Sequence, residues 1–115
     1  MRLTEITKDE FKMKLTDPIA FRIKDSVAEL RDFVDYNKKY SMGKIEHVDH
    51  SGRDIIKFTI GFPQNYVVDY PEDVTVLQST VFDFFRDITE PEMNDAIYVG
   101  TGGRPYITFI YYLKR

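Results

Sequence analysis

Apolar positions recur along this chain at two different periods, and the changes of period mark its elements. Val27, Leu30, Phe33, Val34 and Tyr40 return at helical intervals behind Ser26-Val27-Ala28-Glu29, whose spacing is that of a capping box. The pattern predicts a helix over 27–39, with Glu29, Arg31, Asp32, Asp35, Lys38 and Lys39 on its solvated face and Gly43 turning the chain out of it. Ahead of it, Thr7-Lys8-Asp9-Glu10 repeats the capping-box spacing before Phe11 and Leu15, predicting a short first helix over 8–15. Asp17-Pro18 stops that helix, because a residue before proline is pushed out of the helical region, and 19–24 reads as extended.

The period then drops to two. Residues 44–49 and 54–62 alternate as strands about Ser51-Gly52. A two-residue turn there sets Glu46 opposite Lys57 and Val48 opposite Ile55 on one side, and Ile45 opposite Phe58 and His47 opposite Ile56 on the other. The face with Ile45, Ile56, Phe58 and Ile60 is the core face. Residues 66–70, bounded by Pro63 and Pro71, read as a further strand.

From Asp73 the period is helical again: Val74, Leu77, Val81, Phe84, Phe85 and Ile88 fall on one stripe behind Pro71-Glu72-Asp73, which places acids at the positive end of the helix dipole. This helix should lay Val74, Leu77, Val81, Phe84 and Ile88 on the sheet. Thr89-Glu90-Pro91 ends it, and 91–96 suits one more helical turn.

The last segment, 97–115, reads as a hairpin closed at Gly102-Gly103, with Thr101 opposite Arg104, Val99 opposite Tyr106, Tyr98 opposite Ile107 and Ile97 opposite Thr108. One face carries Tyr98, Ile107, Phe109, Tyr111 and Leu113. The other carries Ile97, Val99, Tyr106, Thr108, Ile110 and Tyr112, so neither face is written for water. A surplus apolar face is either covered or kept for a partner.

The order of elements predicts an α+β fold: an antiparallel sheet of four to five strands with two or three helices packed mainly on one face. At 115 residues the chain suits a single compact domain, 1–115, with no visible repeat or linker. Hydrophobic residues at 43% and charged residues at 30% exclude an extended disordered chain. A net charge of -3, a pI near 5.3 and no basic run longer than two residues argue against direct binding of nucleic acid. The absence of cysteine removes thiolate chemistry and fits a reducing, cytoplasmic compartment. The apolar runs are too short to span a bilayer as helices, and the N-terminus lacks the apolar core of a signal peptide, so neither membrane nor secretion is expected.

Candidate chemistry is sparse. Val99-Gly100-Thr101-Gly102-Gly103-Arg104 has the glycine content of a phosphate loop, but a β-run follows it where a phosphate loop needs a helix. A hairpin turn is the better reading, with Arg104 available to an acidic partner. His47, Asp49 and Asp54 form the sharpest constellation, because the two-residue turn opposes the aspartates and puts His47 two positions along on the same face. That arrangement suits a cation, a raised carboxylate pKa or a longer loop that separates the acids; the last is the simplest, and no metal is called for. His50 points to the opposite face in this register. Asp69, Glu72 and Asp73 flank Tyr70-Pro71 and read as helix-start acids.

The leading expectation is a non-enzymatic protein-binding, inhibitor or accessory protein, of the kind a phage or mobile element encodes, acting through Ile97, Val99, Arg104, Tyr106, Ile110 and Tyr112 on a protein partner or in a homodimer. It requires no cofactor. The alternatives are a small metal-dependent or acid-base enzyme around His47, Asp49 and Asp54, and an obligate subunit of a larger assembly that uses the same hairpin.

Overall fold

The computed structural model describes residues 18–63, 71–100 and 103–114, with side chains from Ile23 onward. The expected first helix over 8–15 and the expected strand over 66–70 lie outside these residues. Among the described residues the chain forms α1 (Pro18–Asn37), β1 (Ser41–Met42), β2 (Glu46–His50), β3 (Arg53–Gly61), α2 (Glu72–Asp83), a single 3-10 turn (Pro91–Met93), β4 (Asp95–Val99) and β5 (Tyr106–Tyr112). The five strands make one antiparallel sheet in the order β1-β3-β5-β4, with β2 paired to β3 beside β1. Sheet and helices form the expected α+β fold, with two helices and five strands.

Helix α1 begins earlier than its pattern suggested. Pro18 opens the helix rather than marking extended chain, because proline at the first helical position gives up an N–H that has no intrahelical partner anyway. Residues 19–24 are therefore helical, and Ser26-Val27-Ala28-Glu29 lies in mid-helix instead of at a start. The stripe is continuous across the supposed boundary: Ile23, Val27, Leu30 and Val34, spaced four, three and four, are all buried. The helix ends on Lys38, whose φ of 60° is left-handed and whose N–H donates to the Val34 carbonyl at 3.2 Å. Gly43 is not needed for that turn; its N–H donates to Thr59 O at 3.0 Å at the break between β1 and β2.

The β2–β3 hairpin has the register that its turn predicts. Ser51 and Gly52 both take positive φ, 53° and 77°, the conformation of a primed two-residue turn whose twist matches the strands. Glu46 pairs Lys57, His47 pairs Ile56, Val48 pairs Ile55 and Asp49 pairs Asp54. The C-terminal hairpin keeps its predicted register as well, with Ala96 on Phe109, Ile97 on Thr108, Tyr98 on Ile107 and Val99 on Tyr106. Of its turn, Gly103 is described, with φ 79°, while Thr101 and Gly102 lie outside the described residues.

Both helices contribute to one core on one face of this sheet. Ile45, Ile56, Phe58 and Ile60 join Ile107, Phe109, Tyr111 and Leu113 from β5 and its end, and α1 and α2 cover them with the stripe named above and with Val74, Leu77, Val81 and Phe85. An aromatic cluster forms the centre. Phe58 stacks on Phe109 with centroids 5.1 Å apart and lies 5.6 Å from Phe85, which is itself 5.3 Å from Tyr111. Phe85 rather than Phe84 is the fully buried ring at the end of α2. Helix α2 ends at Asp83, and the next turn tightens, with Phe84 N–H bonding Val81 O and Phe85 N–H bonding Phe82 O. Phe84 and Ile88 are left half-buried against the margin of the core, where Phe84 meets Phe33 of α1 at 5.8 Å.

The segment after α2 is tied to the sheet by a polar relay. The buried Thr89 hydroxyl donates to Phe85 O at 2.8 Å and accepts from Asn94 Nδ2 at 2.9 Å, while Asn94 Oδ1 accepts the Tyr112 N–H at 2.9 Å. Each amide end of Asn94 is thereby used, one on the α2 side and one on β5.

Two expectations follow for stability. Phe85→Ala should cost ~3 to 5 kcal/mol, the usual range for a buried ring, and Phe84→Ala clearly less; chemical denaturation of both variants measures the difference, and equal losses would place Phe84 in the core. Burial, with Asp83 adding to it, holds the Tyr111 phenol pKa well above its ordinary 10.0. The folded state thus keeps a proton that the unfolded chain gives up, so the stabilisation is complete below the unfolded value of 10.0 and declines as pH rises above it. Stability of the parent should fall over that alkaline window more steeply than that of Tyr111→Phe, as paired melting curves will show.

Candidate functional site

The second face of the sheet is assembled by strand alternation alone. Where Phe58 and Phe109 turn inward, Lys57, Thr59, Thr108 and Ile110 turn outward, and the pairings order the outer face into four rows. Val48, Ile55 and Tyr112 form the first. Glu46, Lys57, Ile110 and Asp95 form the second, and Thr59, Thr108 and Ile97 the third. Ser41, Gly61, Tyr106 and Val99 form the fourth. Ile97, Val99, Tyr106, Ile110 and Tyr112, the residues picked from the hairpin pattern, all lie on this face.

Its apolar side chains are half-exposed or exposed, with the charged Lys57 and Asp95 and the hydroxyls of Thr59 and Thr108 set among them. Ile97 is 46% exposed and Val48 40%, while Val99, Tyr106, Ile110 and Tyr112 are half-exposed. The core cluster includes none of these side chains. Ile55 is the exception to openness at 7%, enclosed between Val48 and Tyr112. The Arg53 guanidinium lies 5.8 Å over the Tyr112 ring and pairs with Glu90, fixing one corner of the face. At the opposite corner is a recess of about 210 Å³, lined by Ser41, Gly43, Thr59, Gly61, Arg104 and Tyr106. Arg104 is exposed there.

The patch is wider than the hairpin that suggested it. Val48, Ile55, Lys57 and Thr59 extend it onto β2 and β3, and the signal for them was the predicted β2–β3 register, which set Val48 and Ile55 on the face away from the core.

The polar constellation resolves differently. His47 Nε2 lies 2.7 Å from Asp54 Oδ1, a diagonal contact across the hairpin, with both side chains half-buried. The turn is the two-residue one, so Asp49 and Asp54 are indeed opposed in register. Among the described residues, however, no three His, Cys, Asp or Glu side chains converge in the way a metal ion needs. His50 pairs Arg53 at the hairpin end and is exposed. Asp69 lies outside the described residues, and Glu72 and Asp73 occupy the first turn of α2, as helix-start acids do.

A recess of about 400 Å³ between α2 and β4 is lined by Gln78, Ser79, Phe82, Asn94, Asp95, Ala96 and Tyr111, among others. Its amides serve the fold: Asn94 ties α2 to β5, and Gln78 Nε2 donates to Ala96 O at 3.4 Å. No described helix is long and apolar enough to cross a membrane. Neither a family model, nor a curated protein, nor a solved structure matches the chain.

The His47–Asp54 pair should not hold a divalent cation, since two groups at a hairpin end leave most of a coordination shell to water. Calorimetric titration with zinc, manganese, magnesium and calcium should be flat. Stoichiometric binding that disappears in Asp54→Asn would restore the metal-dependent reading.

Proposed function

We propose that this chain is a non-enzymatic binding protein that docks on another protein through the outer face of its sheet. One observation carries the reading: apolar and aromatic side chains spread over four paired strands, set among Lys57, Asp95, Thr59 and Thr108, are exposed on the side away from the helices, with Ile97 and Val48 the most exposed of the aliphatic ones. Contiguous apolar surface of this kind mark sites of association, and tyrosine suits them because it brings a large contact area with a polar tip. A cytoplasmic accessory or inhibitor role belongs to the same proposal. A catalytic role for His47 and Asp54 has less to stand on, since among the described residues no third His, Cys, Asp or Glu joins the pair in a metal-binding group.

Affinity capture from the native host with the parent and with the double variant Tyr106→Ser, Tyr112→Ser tests this. An aromatic anchor at the centre of an interface is commonly worth ~2 kcal/mol or more, so the variant should lose its partner by more than about tenfold while its melting temperature stays close to the parent's. A variant that melts early yet retains every captured protein would sink the reading, because these rings would then be supporting the fold rather than a contact.

A further inference from the structure

The outer face is complementary to itself. On either side of the central residue Ile110 of β5 stand opposite charges, Lys57 on β3 and Asp95 on β4, both exposed. Sheets stack face to face with their strands within about 30° of each other, about 10 Å apart. Consider a two-fold axis that runs along β5 in the plane between two such sheets. It lays β5 on β5 of the second copy and β3 on the second copy's β4, keeping each row in register. Lys57 then meets Asp95 of the second copy, and the symmetry makes the same pair twice. Glu46, the cross-strand neighbour of Lys57 on β2, lies one strand farther out, beyond the second copy's β4.

The other rows agree in shape. In the fourth row the same axis sets Val99 of one copy against Gly61 of the other, beside the recess of about 210 Å³ that Gly61 lines together with Ser41, Thr59 and Tyr106. In the third it sets Ile97, the most exposed aliphatic residue of the face, against Thr59, and Thr108 against itself. Tyr106, Ile110 and Tyr112 form the self-paired column along the axis. A charge pair, a hollow matched by an aliphatic side chain, and an aromatic spine thus all follow from one symmetry operation.

From this we infer that the occupant of the outer face is a second copy of this chain, stacked sheet on sheet about β5 with reciprocal Lys57–Asp95 ion pairs. The inference rests on the docking reading above and names its partner.

Charge exchange tests it. Sedimentation equilibrium of the parent should show a monomer–dimer equilibrium. Lys57→Asp alone, or Asp95→Lys alone, creates two like-charge contacts per dimer and should weaken association by about tenfold or more. The double exchange Lys57→Asp with Asp95→Lys should restore it to near the parent value. A dimer indifferent to these exchanges, or single exchanges that the double variant does not repair, would overturn the proposed geometry. Because the chain has no cysteine, Ile97→Cys offers a unique thiol on the face. A parent that stays monomeric at its highest soluble concentration, with this thiol labelled at the rate of a free peptide, would overturn self-association while leaving the face open to a different protein. A monomer in which the thiol is protected would overturn both readings, since the chain would then cover its own face.

Discussion

Everything in this molecule hangs on β3. It is the strand on which β1, β2 and β5 all pair, and its inward residues Ile56, Phe58 and Ile60 occupy the middle of the core. The stack of Phe58 on Phe109 fixes β3 against β5, and Phe85 and Tyr111 close around it, so the position of α2 and the register of the central strands are set by one aromatic cluster. Because strand alternation is strict, the same register that buries Phe58 and Phe109 forces Lys57, Thr59, Thr108 and Ile110 outward. The outer face is a consequence of the core's packing, not an independent element.

That coupling explains why so much of the candidate surface was legible in the chain. Gly52 and the Gly102-Gly103 pair are residues suited to positive φ, and a two-residue turn leaves little freedom of register. Once the turns were placed, the inward set and the outward set followed by counting. The helices were less legible for local reasons. Residues 19–24 carry the β-branched Ile19 and Ile23 next to a proline, which favours an extended reading; only the longer stripe from Ile23 to Val34 reveals one helix. Phe84 and Phe85 are adjacent and chemically identical. Which of them enters the core depends on how the turn beyond Asp83 tightens, and composition and period do not encode that.

The polar sites divide in the same way. The His47–Asp54 contact was foreseeable, since a diagonal pair on one face of a hairpin lies within reach of a long side chain. The relay through Thr89 and Asn94 was not. It joins the end of α2 to β5 by side-chain bonds between residues whose spacing resembles ordinary turn chemistry, and its meaning appears only when β5 is in place.

A sheet can associate through its edges as well as its faces, and here the edges are blunted. On β4 the Ala96 N–H is taken by Asp95 Oδ1 at 2.8 Å and its carbonyl by Gln78, so near the start of that edge the backbone groups of Ala96 are engaged within the chain. The opposite edge is interrupted between β1 and β2, where Ile45 turns inward, and β2 itself presents Glu46, Asp49 and His50 as exposed polar side chains. Short, broken and charged edges are the usual protection against open-ended strand addition. With both edges ill-suited to pairing, the outer face is the surface on which the proposed contact would form, and a contact related by a two-fold axis closes into a finite complex where a heterologous one would propagate.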